Sequence, residues 1–166
     1  MKSVSNHIIR EIIDEELERS AEVIRQSFGT VAKDFGLTKE NCPTNPAFIE
    51  VEWLKYDRTK GNKMFGLFVE GEQAGFVAIA KQNNLEFEMK KLAVLPSFRH
   101  LGYGKALMDF TKEYVKSQNG EIVTIGIIDE NKILKQWYSD YGFIVKGTKV
   151  FSHLPFTVCF MELKVS

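Results

Sequence analysis

The stretch that most constrains this chain is 92–105, Leu-Ala-Val-Leu-Pro-Ser-Phe-Arg-His-Leu-Gly-Tyr-Gly-Lys. An apolar run from Leu92 to Leu95 stops at Pro96. A turn carrying Arg99 and His100 follows, and Gly102 and Gly104 then open an amphipathic segment. That order reads as strand, turn and helix N-terminus. Glycines carry no Cβ, so a ligand can approach the backbone closely. The first amides of a helix have no partner within it, and together with the helix dipole they form an anion site. Between Lys90 and Lys105 stand four Lys or Arg and one His, with no Asp or Glu. The whole chain carries 22 basic and 22 acidic residues and is formally neutral, so this local excess points to a ligand with several negative charges, such as a pyrophosphate.

Two common phosphate motifs fail here. A dinucleotide fingerprint needs glycine where Leu107 stands. A P-loop needs glycine at Arg99 and Ser or Thr at Ala106. What stands is Arg99-His100-Leu101-Gly102-Tyr103-Gly104, directly after a Leu-x-Val-x-Pro strand end. This resembles the acetyl-CoA signature, Arg/Gln-x-x-Gly-x-Gly/Ala, of the GCN5-related N-acetyltransferases (GNAT). A second stretch, Asn131 to Phe143, resembles the family's Asn-x-x-Ala-x-x-Leu-Tyr-x-x-x-Gly-Phe, with Leu134 and Trp137 at the usual Ala and Leu positions. Together the resemblance spans residues 64–145. It implies an α/β fold with a central mixed, mostly antiparallel sheet of about seven strands flanked by about four helices.

The remaining sequence is compatible. A length of 166 residues suits a single domain, 1–166, with a sizeable core. Balanced charge argues against general nucleic-acid or membrane binding. Met1–Glu18 lacks a long apolar core, so no signal peptide is expected. Cys42 and Cys159 are far apart and lack metal-ligand spacing, and neither a zinc nor a Ser/His/Asp constellation is visible. The expectation is a cytoplasmic protein with two free thiols and no metal.

Strands are expected at 7–13, 64–70, 73–80, 84–95, 121–128, 143–151 and 156–165. Helices are expected after Asp14 (read as a cap), from about Pro46, over 102–117, and after Asn131 with Ile133, Leu134, Trp137 and Tyr138 as its apolar positions. Near-continuous apolar content in 64–70 and 73–80 predicts burial on both faces. In 84–95, Leu85, Phe87 and Met89 hold odd positions, whereas Leu92 and Val94 hold even ones. Strand periodicity is two, so the flip predicts a β-bulge at Lys90-Lys91. The crossover from that strand through the glycine-led helix to 121–128 should be parallel and right-handed.

The resemblance also implies a chemistry: acetyl transfer from acetyl-CoA to a primary amine, on a small molecule or peptide, by direct attack in a ternary complex. The pyrophosphate would sit on amides of His100, Leu101, Gly102, Tyr103, Gly104 and Lys105, with Arg99 and Lys105 as charge partners. The pantetheine arm would pair with backbone of Leu92, Ala93 and Val94, with the Val94 amide polarising the thioester carbonyl. Asn131 would bond the same arm. Glu88, four residues before Leu92, occupies the place of the general base in the histone-acetylating branch, with Glu86 or a water as alternatives. The Glu that some members carry in the next strand is replaced by Gly126. Tyr138 matches the family's general acid. His153 reads as a surface residue, and Cys42, lacking a matching base, as no nucleophile. A non-catalytic CoA-binding or sensing module on the same fold is the competing reading. The family often dimerises, so a homodimer stays open, and the acceptor amine cannot be read from the chain.

Overall fold

The computed structural model describes residues 6–165. Met1–Ser5, the start of the segment read as lacking a signal peptide, and Ser166 lie outside the described residues. The elements in chain order are β1 (His7–Glu11), α1 (Leu17–Asp34), α2 (Val51–Thr59), β2 (Lys63–Val69), β3 (Glu72–Lys81), β4 (Glu86–Val94), α3 (Tyr103–Ser117), β5 (Ile122–Ile128), α4 (Lys132–Tyr141), β6 (Ile144–Val150) and β7 (Thr157–Lys164). The sheet order is β1-β2-β3-β4-β5-β7-β6. Every pairing is antiparallel except β4 with β5, which is parallel because α3 carries the chain between them. Among the described residues no helix is long and apolar enough to cross a membrane.

Two cores lie on the two faces of this sheet. On one face, Tyr103, Leu107, Met108 and Val115 of α3 and Tyr138 of α4 pack on Phe87, Met89, Val123, Ile125 and Leu163. On the other, Leu17, Ala21 and Ile24 of α1 and Leu54 of α2 pack on Met64, Phe76, Ala78 and Ala93. β2 and β3 are therefore buried on both sides, as their composition predicts. β4 serves both cores only because its register shifts. Phe76 faces Ala93 and Ala78 faces Lys90, so β4 holds one residue more than β3 there, and Lys91 sits at φ +55°. The bulge read from the parity flip is present. It sends Phe87 and Met89, then Leu92 and Val94, to the α3 side, while Ala93 and Leu95 turn to α1.

Three local readings are corrected. Asp14 is not a side-chain cap: it opens a short 3₁₀ turn, Asp14–Glu16, and its carboxylate pairs with Arg58 of α2. Glu16 does the local work instead, accepting the Ile13 amide at 3.0 Å and Arg10 at 2.8 and 2.6 Å. Ile133 is 86% exposed, so the buried side of α4 is carried by Leu134 and Tyr138. The helix expected from Pro46 is split: Asn45 caps a 3₁₀ turn, Pro46–Phe48, before α2 begins.

Candidate active site

The parallel pairing of β4 and β5 is short. Glu86, Phe87 and Glu88 face Ile122, Val123 and Thr124, and the two strands then part. The bulge at Lys91 supplies the cause, because an extra residue bends and twists β4 away from its neighbour. Beyond Glu88 no described strand pairs with the β5-facing edge of β4, where the Val94 amide donates to Ser27 Oγ of α1 at 3.3 Å. The Leu95 amide donates to Ala74 of β3 at 2.8 Å, and hydrogen-bonded positions alternate in an antiparallel pair. The backbone groups of Leu92 and Val94 therefore point away from β3, into the gap. This is the stretch read as the partner of an extended ligand, with Ala93 between them serving β3.

The gap leads to the glycine turn. His100 and Gly102 both adopt positive φ, +65° and +85°. Gly102 is the N-cap of α3 and no side chain caps the helix. The first bond of the helix runs from Ala106 to the Gly102 carbonyl at 3.0 Å. Among the described residues, the amides of His100, Leu101, Gly102, Tyr103, Gly104 and Lys105 donate to no protein acceptor. Six free amides around two left-handed residues lie at the positive end of α3, a donor set that suits an anion. A Cβ added to Gly102 would meet no heavy atom within 4 Å, so open space lies over the turn. A Cβ on Gly104 would lie 3.4 Å from the Trp137 ring, which places α4 beside the same mouth. Polyphosphate chemistry fits this donor set.

The two charged side chains of the turn behave differently. Lys105 is exposed and pairs with Asp109 one turn on, at 2.9 Å. Asp109 also accepts the Tyr141 hydroxyl, tying α3 to α4. Burial would raise the Asp109 carboxyl, but Tyr141 and Lys105 outweigh it and hold it below its ordinary value. Arg99 turns back onto α1, donating to Thr30 Oγ1 at 2.9 Å, to the Ser27 carbonyl at 2.8 Å and to Ser27 Oγ at 3.3 Å. Burial lowers its pKa. Arg99 thus fastens the turn to α1, and the surface offered to an anion is main-chain nitrogen with Lys105 at its rim.

Glu88 and Tyr138 sit on opposite faces of the sheet. Ala80, Glu88, Thr124 and Glu162 are lateral neighbours across β3, β4, β5 and β7. Phe87, Val123 and Leu163 form the adjacent row inside the α3-side core, so the Glu88 row faces the α1 side. Gln82 Nε2 donates to Glu88 Oε1 at 3.2 Å. Glu86 points the same way, two residues further from the gap. Tyr138 is 5% exposed on the α3 side, its ring edge-on to Trp137 (5.0 Å) and Phe143 (5.3 Å). Its hydroxyl bonds to no described residue, and burial pushes its pKa upward, so the phenol stays protonated. Asn131 caps α4 through Oδ1, 3.2 Å from the Leu134 amide, which leaves its Nδ2 donor free among the described residues.

Other candidates separate from this cluster. Cys42 is buried with Ala32 and Leu37 against Leu154 and Phe156, where the 35–48 loop meets the β6–β7 connection, and burial raises its thiol pKa. His153 is exposed beside Phe151. Gly126 lies under the Phe160 ring, with 3.6 Å between an added Cβ and the nearest ring atom. Among the described residues, no group of three or more His, Cys, Asp or Glu could hold a metal ion. Sequence reading missed Ser27 and Thr30: polar residues within a helix give no signal of a partner some seventy positions away.

The Acetyltransferase (GNAT) family profile matches residues 31–143. The chain belongs to the GNAT acetyltransferase family. It is an acetyl-CoA-dependent N-acetyltransferase. It is 27% identical over 134 residues to an uncharacterized N-acetyltransferase in the pepI 3′ region of Lactobacillus delbrueckii subsp. lactis, covering 73% of this chain and 76% of the relative. Its fold is shared with the ribosomal-protein-S18-alanine N-acetyltransferase of Escherichia coli (TM-score 0.77, 14% identity, 97% and 95% of the two chains). It is shared also with the PaiA N-acetyltransferase of Thermoplasma acidophilum, solved in complex with coenzyme A (TM-score 0.73, 19% identity, 96% and 99%). In this GNAT chain the matched region contains the bulge, the glycine turn, Asn131 and Tyr138.

Proposed function

We propose that this N-acetyltransferase moves the acetyl group of acetyl-CoA to a primary amine by direct attack within a ternary complex. The observation that carries this reading is the edge of β4 at Leu92 and Val94, which no described strand pairs and where the Val94 amide makes only a long 3.3 Å contact with Ser27 Oγ, together with the free amides of the α3 mouth. Those free amides take the pyrophosphate, and Leu92 and Val94 pair with the amides of the pantetheine arm like an added strand. That path brings the thioester carbonyl to the Val94 N–H, an oxyanion donor. Asn131 Nδ2 is a second donor toward the arm.

The two faces then divide the proton chemistry. A lysine-like amine has a pKa near 10.4, so its neutral form at pH 7 costs about 4–5 kcal/mol. Glu88, on the α1 side, accepts that proton directly or through a water. Tyr138, on the α3 side, donates to the departing thiolate, whose conjugate acid resembles a cysteine near ~8.5. Its protonated state and free hydroxyl support that role.

The test is thiol release from acetyl-CoA across polyamines, aminoglycosides, amino acids and peptide N-termini. Turnover with at least one amine, lost in Tyr138→Phe with coenzyme A affinity retained, is the expected result. Coenzyme A binding without turnover of any amine would overturn the catalytic assignment and leave a sensing module.

A further inference from the structure

Ser27 lies on α1, far in sequence from the glycine turn, yet its hydroxyl stands at the point where the carbonyl chemistry would occur. The residue is 8% exposed. Its Oγ accepts the Val94 amide at 3.3 Å and Arg99 at 3.3 Å. Among the described residues, Ser27 Oγ donates to no acceptor, although Thr30 and Thr111, also in helices, both donate to a carbonyl of their own helix. A buried hydroxyl that receives two N–H groups and has no outlet for its own proton is an orphan donor.

We propose that Ser27 is a second oxyanion donor, its hydroxyl hydrogen bonding the acetyl carbonyl alongside the Val94 amide. This deepens the transfer reading above and rests on it. The Val94–Ser27 contact is long for an N–H···O bond, so a better-placed acceptor displaces it at little cost. A carbonyl oxygen about 2.9 Å from the same nitrogen comes within reach of Ser27 Oγ. The hydroxyl then reverses its role at that spot, from acceptor of the amide to donor toward the carbonyl. Arg99 remains on Oγ, and its positive charge polarises the O–H bond and strengthens it as a donor. Arg99 is thereby a positioning residue, held to the Ser27 carbonyl and to Thr30.

The step balances without a change at Ser27. The amine lone pair forms the N–C bond, and the C=O π pair moves to oxygen, where Val94 N–H and Ser27 O–H hold it. The pair returns, the C–S bond breaks, and the thiolate leaves with the Tyr138 proton. Glu88 holds the proton taken from the incoming amine before attack, and the second N–H proton leaves the tetrahedral intermediate through water and restores the Tyr138 phenol. Ser27 keeps its proton throughout.

The experiment compares wild type, Ser27→Ala and Ser27→Thr in steady-state kinetics with an accepted amine, in coenzyme A binding by calorimetry, and in the infrared carbonyl stretch of bound, carbon-13-labelled acetyl-CoA. In Ser27→Ala, kcat should fall on the order of 100-fold, the size of one lost oxyanion donor. KM for acetyl-CoA and Kd for coenzyme A should stay within about threefold, under 1 kcal/mol. The carbonyl band, lowered in wild type, should move back toward its solution position, and Ser27→Thr should recover most of both effects. An unchanged band or unchanged kcat in Ser27→Ala would overturn the role of Ser27 alone. So would a loss of kcat matched by an equal loss of coenzyme A affinity, which marks a structural contact. Wild type that binds no acetyl-CoA would instead remove the transfer reading, and this inference with it.

Discussion

Replacing Gly102 and Gly104 by alanine, one at a time, should shift stability in opposite directions while weakening coenzyme A binding in both cases. Gly102 sits at φ +85°, a conformation that costs an L-residue roughly 1–2 kcal/mol. No atom lies near its added methyl, so this conformational cost is the whole effect. For a chain of 166 residues, 1 kcal/mol corresponds to about 2–4 °C in Tm, so Gly102→Ala should melt about 2–8 °C lower. Gly104 is already helical, and its methyl would make an ordinary contact with Trp137 at 3.4 Å. Removing glycine's excess unfolded-state freedom is worth about 0.4–1 kcal/mol, so ligand-free Gly104→Ala should melt about 1–4 °C higher. A methyl at Gly104 tilts toward the helix N-terminus, and one at Gly102 fills the open space over the turn, so both crowd a ligand on the free amides. Losing one charge-assisted amide bond, about 1.5–3 kcal/mol, predicts at least tenfold weaker coenzyme A binding. Thermal melts without ligand and titration calorimetry with coenzyme A read the two quantities separately. A ligand-free Gly104→Ala protein that is less stable would refute the helical reading of Gly104, and one that binds coenzyme A like wild type would refute the placement of the anion at the α3 mouth.

Tyr138→Phe should lower kcat by about 10²–10⁴-fold with little change in coenzyme A affinity, and because burial raises this phenol's pKa, wild-type kcat should show no falling limb from it up to pH 10; a limb below that pH that vanishes in the variant would contradict the environment described. Glu88→Gln should cost most near neutral pH, and the deficit should shrink as pH approaches the amine pKa and free amine becomes abundant; a pH-independent deficit would argue against a base. Lys91 and Asp57 form an ion pair at 3.1 Å with side chains 14% and 20% exposed, joining the bulge to α2. Asp57→Ala strands the lysine and should destabilise by about 1–3 kcal/mol in urea titrations, with Lys91→Met in the same chain recovering part of it. The hydrogen bond from Arg10 holds the Glu16 carboxyl below its ordinary value, helped by the Ile13 amide. A depressed carboxylate contributes stability above its unfolded pKa near ~4.3 and loses it as pH falls through the folded value. Glu16→Gln should therefore flatten stability against pH below about 4.3, read from acid titrations by circular dichroism.

Much of the site was legible because its signals are local. Proline at 96, the glycines at 102 and 104 and the apolar stripe of α3 fix a strand–turn–helix junction through φ restrictions and helical period alone. The bulge was readable too, since a strand serving two cores must shift its side-chain parity. Asp14 and Ile133 misled because capping residues and apolar residues each have more than one use. Asp14 found a stronger partner in Arg58, and Ile133 sits on the solvent side of a helix already buried by its neighbours. Contacts between distant loops were least legible. The 35–48 loop and the β6–β7 connection meet through Leu37, Cys42, Leu154 and Phe156, a contact that neither segment announces.

By itself, then, the sequence determined a glycine-opened helix mouth and a kinked strand beside it, because backbone conformation and alternation are set by neighbouring residues. The tertiary structure alone decided what Arg99 and Val94 touch. Both reach Ser27, 72 and 67 positions away, and that meeting depends on how α1 crosses the sheet. Such a crossing is fixed by the packing of a whole helix face, of which a single serine carries no trace.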